Sequence, residues 1–181
     1  LYDGRLVLIT FLDTDCPHCW TEAEYLSELY EGSEGTVMFI TIAVELAISG
    51  HDSSREEIEA FRDKTQFGDN QNNGDGCYSG KKNCAERPGG PHSWMYVDDL
   101  PLSIASEWDL PGTPFSVILD GQGTVLWNQA QPENHPKNRF ENAALARNRI
   151  GPKTVFGDRL AAAAAALHTQ KGPTLFKIKH M

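Results

Sequence analysis

Two uninterrupted apolar runs stand near the start of the chain. The segments "RLVLITFL", residues 5–12, and "TVMFITIAV", residues 36–44, are rich in β-branched side chains and have the length of strands. Such runs are typical of strands covered on both faces. Between them, Trp20, Ala23 and Leu26 recur at helical spacing. The pattern therefore predicts a β-α-β unit with parallel strands.

A second helix and a hairpin are predicted further along. Ser53 and Ser54 lead to Glu56 and Glu57 at capping-box spacing, which predicts a helix over about 54–64. The segments "FSVILD", residues 115–120, and "TVLWNQ", residues 124–129, flank "GQG" and are typical of a β-hairpin. The segment "DRLAAAAAALHTQ" near the end predicts a final helix, because alanine is the best helix former.

Polar stretches interrupt this order twice. Residues 67–92 are rich in Gly and Asn, and we expect a long loop or insertion over about 67–100. Within it, "HSWMYV", residues 92–97, is interpreted as an extra edge strand or a cover for the core in preference to a substrate-contacting lip. A second insertion is predicted over about 130–157, with a short helix at "NRFENAALARNR".

Composition and charge limit the number of domains and the kinds of partner that we expect. The chain has 181 residues and is 40% hydrophobic, which suits a single α/β domain over 1–181 with a central mixed β-sheet flanked by helices. The net charge is −9 and the acidic residues are scattered, so we expect no nucleic-acid partner. Apart from His18, the histidines, His92 among them, are isolated in mostly polar contexts and are predicted to be surface residues.

Candidate chemistry centres on "CPHC", residues 16–19. Cys16 follows a buried strand and stands at the start of a helix, where unpaired backbone N–H groups and the helix dipole favour a thiolate. Cys19 lies one turn further in, shielded but within reach of the first sulfur. Pro17 is tolerated in a first helical turn, and His18 adds a local preference for the thiolate. The spacing predicts a nucleophile and a resolving thiol that exchange through a mixed disulfide.

The other two cysteines are predicted to form a structural disulfide. Cys77 and Cys84 enclose "YSGKKN" in a stretch with almost no apolar residues, where a covalent link substitutes for burial. A second redox pair and two free thiols are the alternatives. A zinc or copper site is less favoured than redox chemistry at Cys16 and Cys19, because zinc needs further ligands at matching spacing. We therefore predict no metal and no cofactor.

The motifs together resemble the thioredoxin superfamily. A strand, a C-x-x-C at a helix start, a β-α-β unit and a proline followed by a hairpin occur in the order of that superfamily. "CPHC" is similar to the active-site tetrapeptide of DsbA-type oxidoreductases, and "PGTPFSVILDGQGTVLW", residues 111–127, resembles the cis-proline loop of the TlpA/ResA-like branch. The resemblance covers residues 5–64 and 103–129 and implies a thioredoxin-like fold.

The resemblance also implies roles for single residues. Cys16 would attack, Cys19 would resolve, and the Pro and His between them would tune the redox potential. Thr113 and Pro114, joined by a cis peptide bond, would face the cysteine pair and bind an extended substrate segment.

The implied activity is thiol–disulfide exchange with protein thiol or disulfide substrates and with a redox partner protein. We expect an extracytoplasmic location, periplasmic or secreted, and a signal or membrane anchor upstream of Leu1 is compatible with it. The alternative is a thioredoxin-fold module that binds copper or haem-maturation intermediates through the same cysteines. A peroxide-reducing relative ranks last, because its usual Thr/Pro-x-x-x-Thr-x-x-Cys context is absent.

Two positions depart from the superfamily's pattern. Asp15 stands before the first cysteine, where thioredoxins usually carry Trp, and a carboxylate there opposes thiolate formation. Thr10 stands where thioredoxins carry a buried Asp and many TlpA-like proteins an Asn. Proton transfer to and from Cys19 is therefore expected to use water or another group.

Overall fold

The computed structural model describes residues 5–46, 53–68, 77 and 82–129. The elements in chain order are β1 (Leu6–Leu12), α1 (Pro17–Gly32), β2 (Val37–Val44), α2 (Arg55–Asp63), a 3₁₀ turn (Cys84–Glu86), β3 (Met95–Asp99), α3 (Ser103–Glu107), β4 (Phe115–Leu119) and β5 (Val125–Asn128). The predicted second insertion over 130–157 and the predicted alanine-rich final helix lie outside the described residues.

The strands form one mixed sheet in the order β3-β2-β1-β4-β5. β1 pairs in parallel with β2, and β2 pairs in parallel with β3. β4 runs antiparallel to β1 and to β5. Every residue of the central strand β1 is buried, as its apolar run predicted. The predicted mixed sheet and its hairpin are confirmed.

Alternate residues of β1 build two cores on opposite faces of the sheet. Leu8 packs in a cluster with residues of α1 and α2, whereas Phe11 packs in a second cluster with Ala105 of α3. Successive side chains of a strand point to opposite faces, so the two clusters follow from the period of the strand. Helices therefore flank both faces of the sheet.

The boundary predicted for the end of the first insertion, residue 100, lies too far along the chain. Residues 95–99 are strand β3, which lies at the edge of the sheet beside β2. The edge-strand interpretation of residues 92–97 is thus the one that holds, although the strand begins only at Met95. The short helix α3 was not predicted at all. It has five residues, which is too few for a 3.6-residue period to become visible in the sequence.

A buried polar cluster packs the loop before β3 against α1 and α2. Arg87 is fully buried, and its guanidinium donates hydrogen bonds to the carbonyls of Phe61 (2.8 Å) and Gly90 (2.8 Å). The prediction that His92 lies at the surface is wrong, since it is only 2% exposed. Its ring stacks on Trp94 at 4.1 Å, and aromatic packing of this kind compensates for loss of hydration. Burial, followed by the charge of Arg87, lowers the pKa of His92 to about 3, so the ring is neutral.

Gly89 sits where this loop meets α1. Its φ is +78°, and a Cβ at this position would lie 2.6 Å from Cα of Glu24 and 2.9 Å from Oγ of Ser27. The close approach and the positive φ both require glycine. The loop therefore rests directly on the helix that carries Cys19.

We expect Gly89→Ala to lower the free energy of unfolding by about 2 kcal/mol or more, because the backbone of α1 cannot yield to the new methyl group. Gly32→Ala is the matched control, since nothing lies within 4 Å of a Cβ there. The control should stay within about 0.5 kcal/mol of the wild type. Chemical denaturation measures both variants, and equal stabilities would contradict the predicted packing.

Candidate functional site

Cys16 and Cys19 lie at the junction of β1 and α1. Cys16 is the N-cap residue of α1 with an extended backbone, and Pro17 occupies the first helical position. The amide of Cys19 donates to the carbonyl of Cys16 at 2.9 Å, which closes the first turn. Both thiols are free; Cys16 is 3% exposed and Cys19 is fully buried. Pro17 and His18 between them are exposed.

The two thiols differ strongly in acidity. A hydrogen bond from the Cys19 thiol, aided by the amides of Cys19 and His18 and opposed by burial, lowers the pKa of Cys16 to about 6. Burial, and then the neighbouring Cys16 sulfur, raises the pKa of Cys19 well above its ordinary value. At neutral pH the pair therefore consists of one thiolate and one thiol, because each form stabilises the other.

The loop before β4 meets this pair. Sγ of Cys16 lies 3.4 Å from the carbonyl oxygen of Thr113, and the Thr113–Pro114 peptide bond is cis. The side chain of Thr113 contributes to lowering the pKa of both Cys16 and Cys19. The structure thus brings together the CPHC segment and the Thr113–Pro114 segment, which are separated by 97 residues in sequence at the Cys16–Thr113 contact.

Asp13 is a site residue that the sequence analysis missed. It is fully buried, and its backbone N–H donates to Sγ of Cys19 at 3.4 Å. Its carboxyl group accepts from the amides of Asp15 (3.1 Å) and Leu46 (2.8 Å). Burial, and then interaction with the Asp15 side chain, raises the pKa of Asp13 to about 8. An acidic residue directly after an apolar strand was the available signal in the sequence.

Thr10 takes part in a buried contact between two strands. Its hydroxyl lies 3.1 Å from that of Ser116, and both residues are 1% exposed. Thr10 and Ser116 are paired across β1 and β4. This contact joins two neighbouring strands beneath the site, which is the usual role of a cross-strand hydroxyl pair.

Thr14 anchors the short loop that leads to Cys16. Its carbonyl accepts from Nε1 of Trp20 at 2.7 Å. Its hydroxyl lies 2.5 Å from the hydroxyl of Ser53 and donates to a carboxylate oxygen of Glu57 at 3.3 Å. The loop is therefore tied both to α1 and to the start of α2.

Cys77 and Cys84 are joined by a disulfide, with their Cα atoms 4.9 Å apart. Both are fully buried, and they belong to the same hydrophobic cluster as Cys16 and Cys19. The burial differs from the polar surroundings that the sequence indicated, because the two sulfurs lie against α2. The carbonyl of Glu57 lies 3.7 Å from Sγ of Cys84.

Within the part of the chain that the structure describes, no three His, Cys, Asp or Glu side chains are grouped so that they could hold a metal ion. None of the described helices is both long and apolar enough to cross a bilayer.

The mixed sheet, with helices on both faces, is a thioredoxin-like fold. A secreted disulfide oxidoreductase of Mycobacterium tuberculosis, described as homologous to E. coli DsbE, is similar over 89% of this chain and 84% of its own, with 18% identity and a TM-score of 0.52. MTB dsbF matches over 80% of this chain and 82% of its own, with 13% identity and a TM-score of 0.47. The thioredoxin domain of a Bacteroides vulgatus thiol-disulfide oxidoreductase matches over 81% of this chain and 82% of its own, with 14% identity and a TM-score of 0.45.

At 18% identity, the first of these similarities establishes the fold and nothing beyond it. The sequence matches no protein-family model and no curated protein. The chemistry of this chain therefore has to be argued from its own residues.

The unequal acidities predict a pH profile for Cys16. Alkylation of reduced protein by iodoacetamide should be half-maximal near pH 6, because Cys16 reacts as a thiolate with a pKa of about 6. Because folding lowers the pKa of Cys16, ionisation of this thiol stabilises the reduced folded protein. The contribution is fully present above pH 9.0, the ordinary pKa of the thiol, and is lost as the pH falls through about 6.

Cys19→Ala should raise the pKa of Cys16 by about one unit or more, since it removes the main hydrogen-bond donor. Cys19→Ser retains a donor and should shift it less. Mass mapping of the alkylated residue at each pH measures both variants. A wild-type midpoint near 9 would contradict the prediction.

Proposed function

We propose that this protein is a thiol–disulfide oxidoreductase that exchanges disulfides with protein substrates through Cys16 and Cys19. One observation carries the proposal: the cap position of Cys16 and its contact with buried Cys19 give a nucleophilic thiolate beside a protected thiol. A nucleophile and a resolving thiol need these different acidities.

In the reducing direction, the Cys16 thiolate attacks one sulfur of a substrate disulfide. A Cys16–substrate disulfide forms, and the other substrate sulfur leaves as a thiolate. Cys19 then attacks Sγ of Cys16 as its proton passes to the first substrate thiolate, which releases the second substrate thiolate and leaves a Cys16–Cys19 disulfide. The substrate gains two electrons and the protein loses two. The oxidising direction is the reverse of these steps.

The mixed disulfide itself activates Cys19. In the free reduced protein, the Cys16 sulfur raises the pKa of Cys19. Once Cys16 is bonded to a substrate, its negative charge is gone, so this part of the shift disappears. The Asp13 amide and the Thr113 side chain, which both lower the pKa of Cys19, remain in place. Cys19 therefore becomes a better nucleophile only after Cys16 has reacted.

Thr113 and Pro114 are proposed to bind the substrate segment next to its disulfide. The 3.4 Å contact between the Thr113 carbonyl and Cys16 supports this role, as does the partial exposure of both residues. A substrate strand could pair with the Thr113 backbone while its sulfur reaches Cys16.

An extracytoplasmic location, periplasmic or secreted, is proposed on two grounds. The Cys77–Cys84 disulfide is of a kind that persists in oxidising compartments. The Mycobacterium tuberculosis protein of similar fold is described as secreted. The physiological direction follows from the reduction potential of the Cys16–Cys19 couple: a value near roughly −120 mV indicates a disulfide donor, and one near roughly −270 mV a reductase.

Substrate trapping tests the proposed roles. Cys19→Ser should accumulate mixed disulfides between Cys16 and substrate proteins, because the resolving thiol is missing. Cys16→Ser should accumulate none, since the buried Cys19 cannot reach an external disulfide. Non-reducing electrophoresis and mass spectrometry of the adducts measure this, beside insulin reduction by the wild type.

Equal trapping by the two serine variants would overturn the assignment. Metal analysis of protein purified without chelator tests the copper-binding alternative: a stoichiometric metal together with an absence of disulfide exchange would replace the proposal.

The contribution of His18 separates into its backbone and its side chain. The His18 amide helps to lower the pKa of Cys16, whereas the imidazole is exposed and screened by solvent. His18→Ala should therefore raise the pKa of Cys16 by only about 0.3 unit, and His18→Pro, which also removes the amide N–H, should raise it more and make the couple more reducing. Alkylation profiles and the reduction potential measure both, and an unchanged pKa in the proline variant would contradict this division.

A further inference from the structure

Glu57 is a buried carboxylate that joins two distant parts of the chain. It lies in the first turn of α2 and is only 1% exposed. One of its oxygens accepts hydrogen bonds from the hydroxyl of Thr14 at 3.3 Å and from the backbone N–H of Cys77. Thr14 is 43 residues away in sequence and Cys77 is 20. A buried carboxylate is costly unless such bonds satisfy it, so these partners hold it where it is.

The hydrogen bond between Thr14 and Glu57 connects Glu57 to the loop that carries the nucleophile Cys16. Thr14 precedes Cys16 by two residues, and the intervening Asp15 is fully buried. A hydroxyl carries one proton, and Thr14 donates it to Glu57, so the neighbouring Ser53 hydroxyl donates to Thr14. The position of Glu57 therefore constrains the loop from which Cys16 projects.

The hydrogen bond from the Cys77 N–H connects Glu57 to the disulfide. Cys77 has a φ of 44°, in the left-handed region, and its backbone N–H is directed at Glu57. Its disulfide partner Cys84 begins the 3₁₀ turn, where the Asn83 side chain accepts from the amide of Ala85. The disulfide thus fixes the amide that Glu57 accepts from.

We propose that Glu57 is a positioning residue that ties the loop carrying Cys16 to the Cys77–Cys84 disulfide. The disulfide then supports the reactive thiolate through hydrogen bonds, without exchanging sulfur with it. This inference deepens the proposed function and rests on it, because it assigns support to the nucleophile of that reaction.

The direction in which the pKa of Cys16 shifts when Glu57 is replaced distinguishes a positioning role from a purely electrostatic one. Loss of a nearby negative charge lowers the pKa of a thiol, because the thiolate is repelled less. Loss of positioning raises the pKa of Cys16, because the Cys19 thiol and the amides of His18 and Cys19 no longer reach the thiolate as well. The two effects are therefore opposite.

The test is the iodoacetamide profile of Cys16 in the full chain. Glu57→Ala should raise the pKa of Cys16 by about half a unit or more, since the link is removed. Glu57→Gln keeps an acceptor oxygen and should recover at least half of that shift. Glu56→Ala, which removes an exposed glutamate of the same helical turn, is the matched control and should leave the pKa unchanged. Thr14→Val breaks the same link from the other end and should behave like Glu57→Ala, whereas Thr14→Ser should not.

A double-mutant cycle tests the link to the disulfide. Cys77→Ser/Cys84→Ser should raise the pKa of Cys16 as Glu57→Ala does while most disulfide-exchange activity remains. The variant that combines these changes with Glu57→Ala should show no further rise in the pKa of Cys16, because both changes break the same chain of contacts. Circular dichroism checks that each variant is folded, and Thr14→Val keeps the test available if Glu57→Ala does not fold.

The proposal is overturned if folded Glu57→Ala or Thr14→Val leaves the pKa of Cys16 unchanged or lowers it, or if the shifts in the cycle are additive. Alkylation does not depend on turnover. Failure of the wild type to reduce insulin or oxidise thiols would therefore count against the proposed function, while the profile would still test the positioning role.

Discussion

Burial of the polar loop between β1 and α1 is the constraint on which the site depends. Asp13, Thr14 and Asp15 are each 3% exposed or less, although all three are polar. Groups buried in this way must find hydrogen-bond partners, and here the partners come from several elements. The Asp13 carboxyl accepts from Leu46 after β2, and Thr14 contacts α1 and the start of α2. The loop cannot move without breaking contacts in several parts of the fold, and it therefore presents Cys16 in one defined position.

Cys16 and Cys19 are one helical turn apart, yet their thiols differ in acidity. Cys16, at the cap, receives hydrogen bonds and has a lowered pKa, while Cys19 lies inside the core and has a raised one. The fold achieves this without a carboxylate at the Thr10 position, where Thr10 pairs with Ser116 instead. The nearest buried carboxyl group along the strand is that of Asp13, whose own amide contacts the Cys19 sulfur.

Local patterns predicted much of the fold and the centre of the site. The apolar runs of β1 and β2, the hairpin and the cap of α2 at Ser54 follow from neighbouring residues, and so does the contrast between Cys16 and Cys19. The short helix α3 was beyond such reasoning, because five residues reveal little periodicity, and the edge strand β3 was located only approximately. Long-range contacts were equally invisible. The burial of His92 depends on stacking and on Arg87, and the role of Glu57 depends on Thr14 and Cys77, which no sequence spacing connects to it.

Helix α2 has a buried ionisable side chain at each end. Glu57 lies in its first turn, and the guanidinium of Arg87 donates to the carbonyls of Phe61 and Arg62 in its last turn. Cations are favoured at the C-terminus of a helix, and the Arg87 guanidinium bonds directly to the carbonyls there. Glu57 holds the loop before Cys16 and the amide of Cys77 at one end of the helix, and Arg87 holds the loop before β3 at the other. The length of α2 therefore sets the distance between these two attachment points, so that a change in the helix would displace the loop before Cys16 relative to the loop before β3.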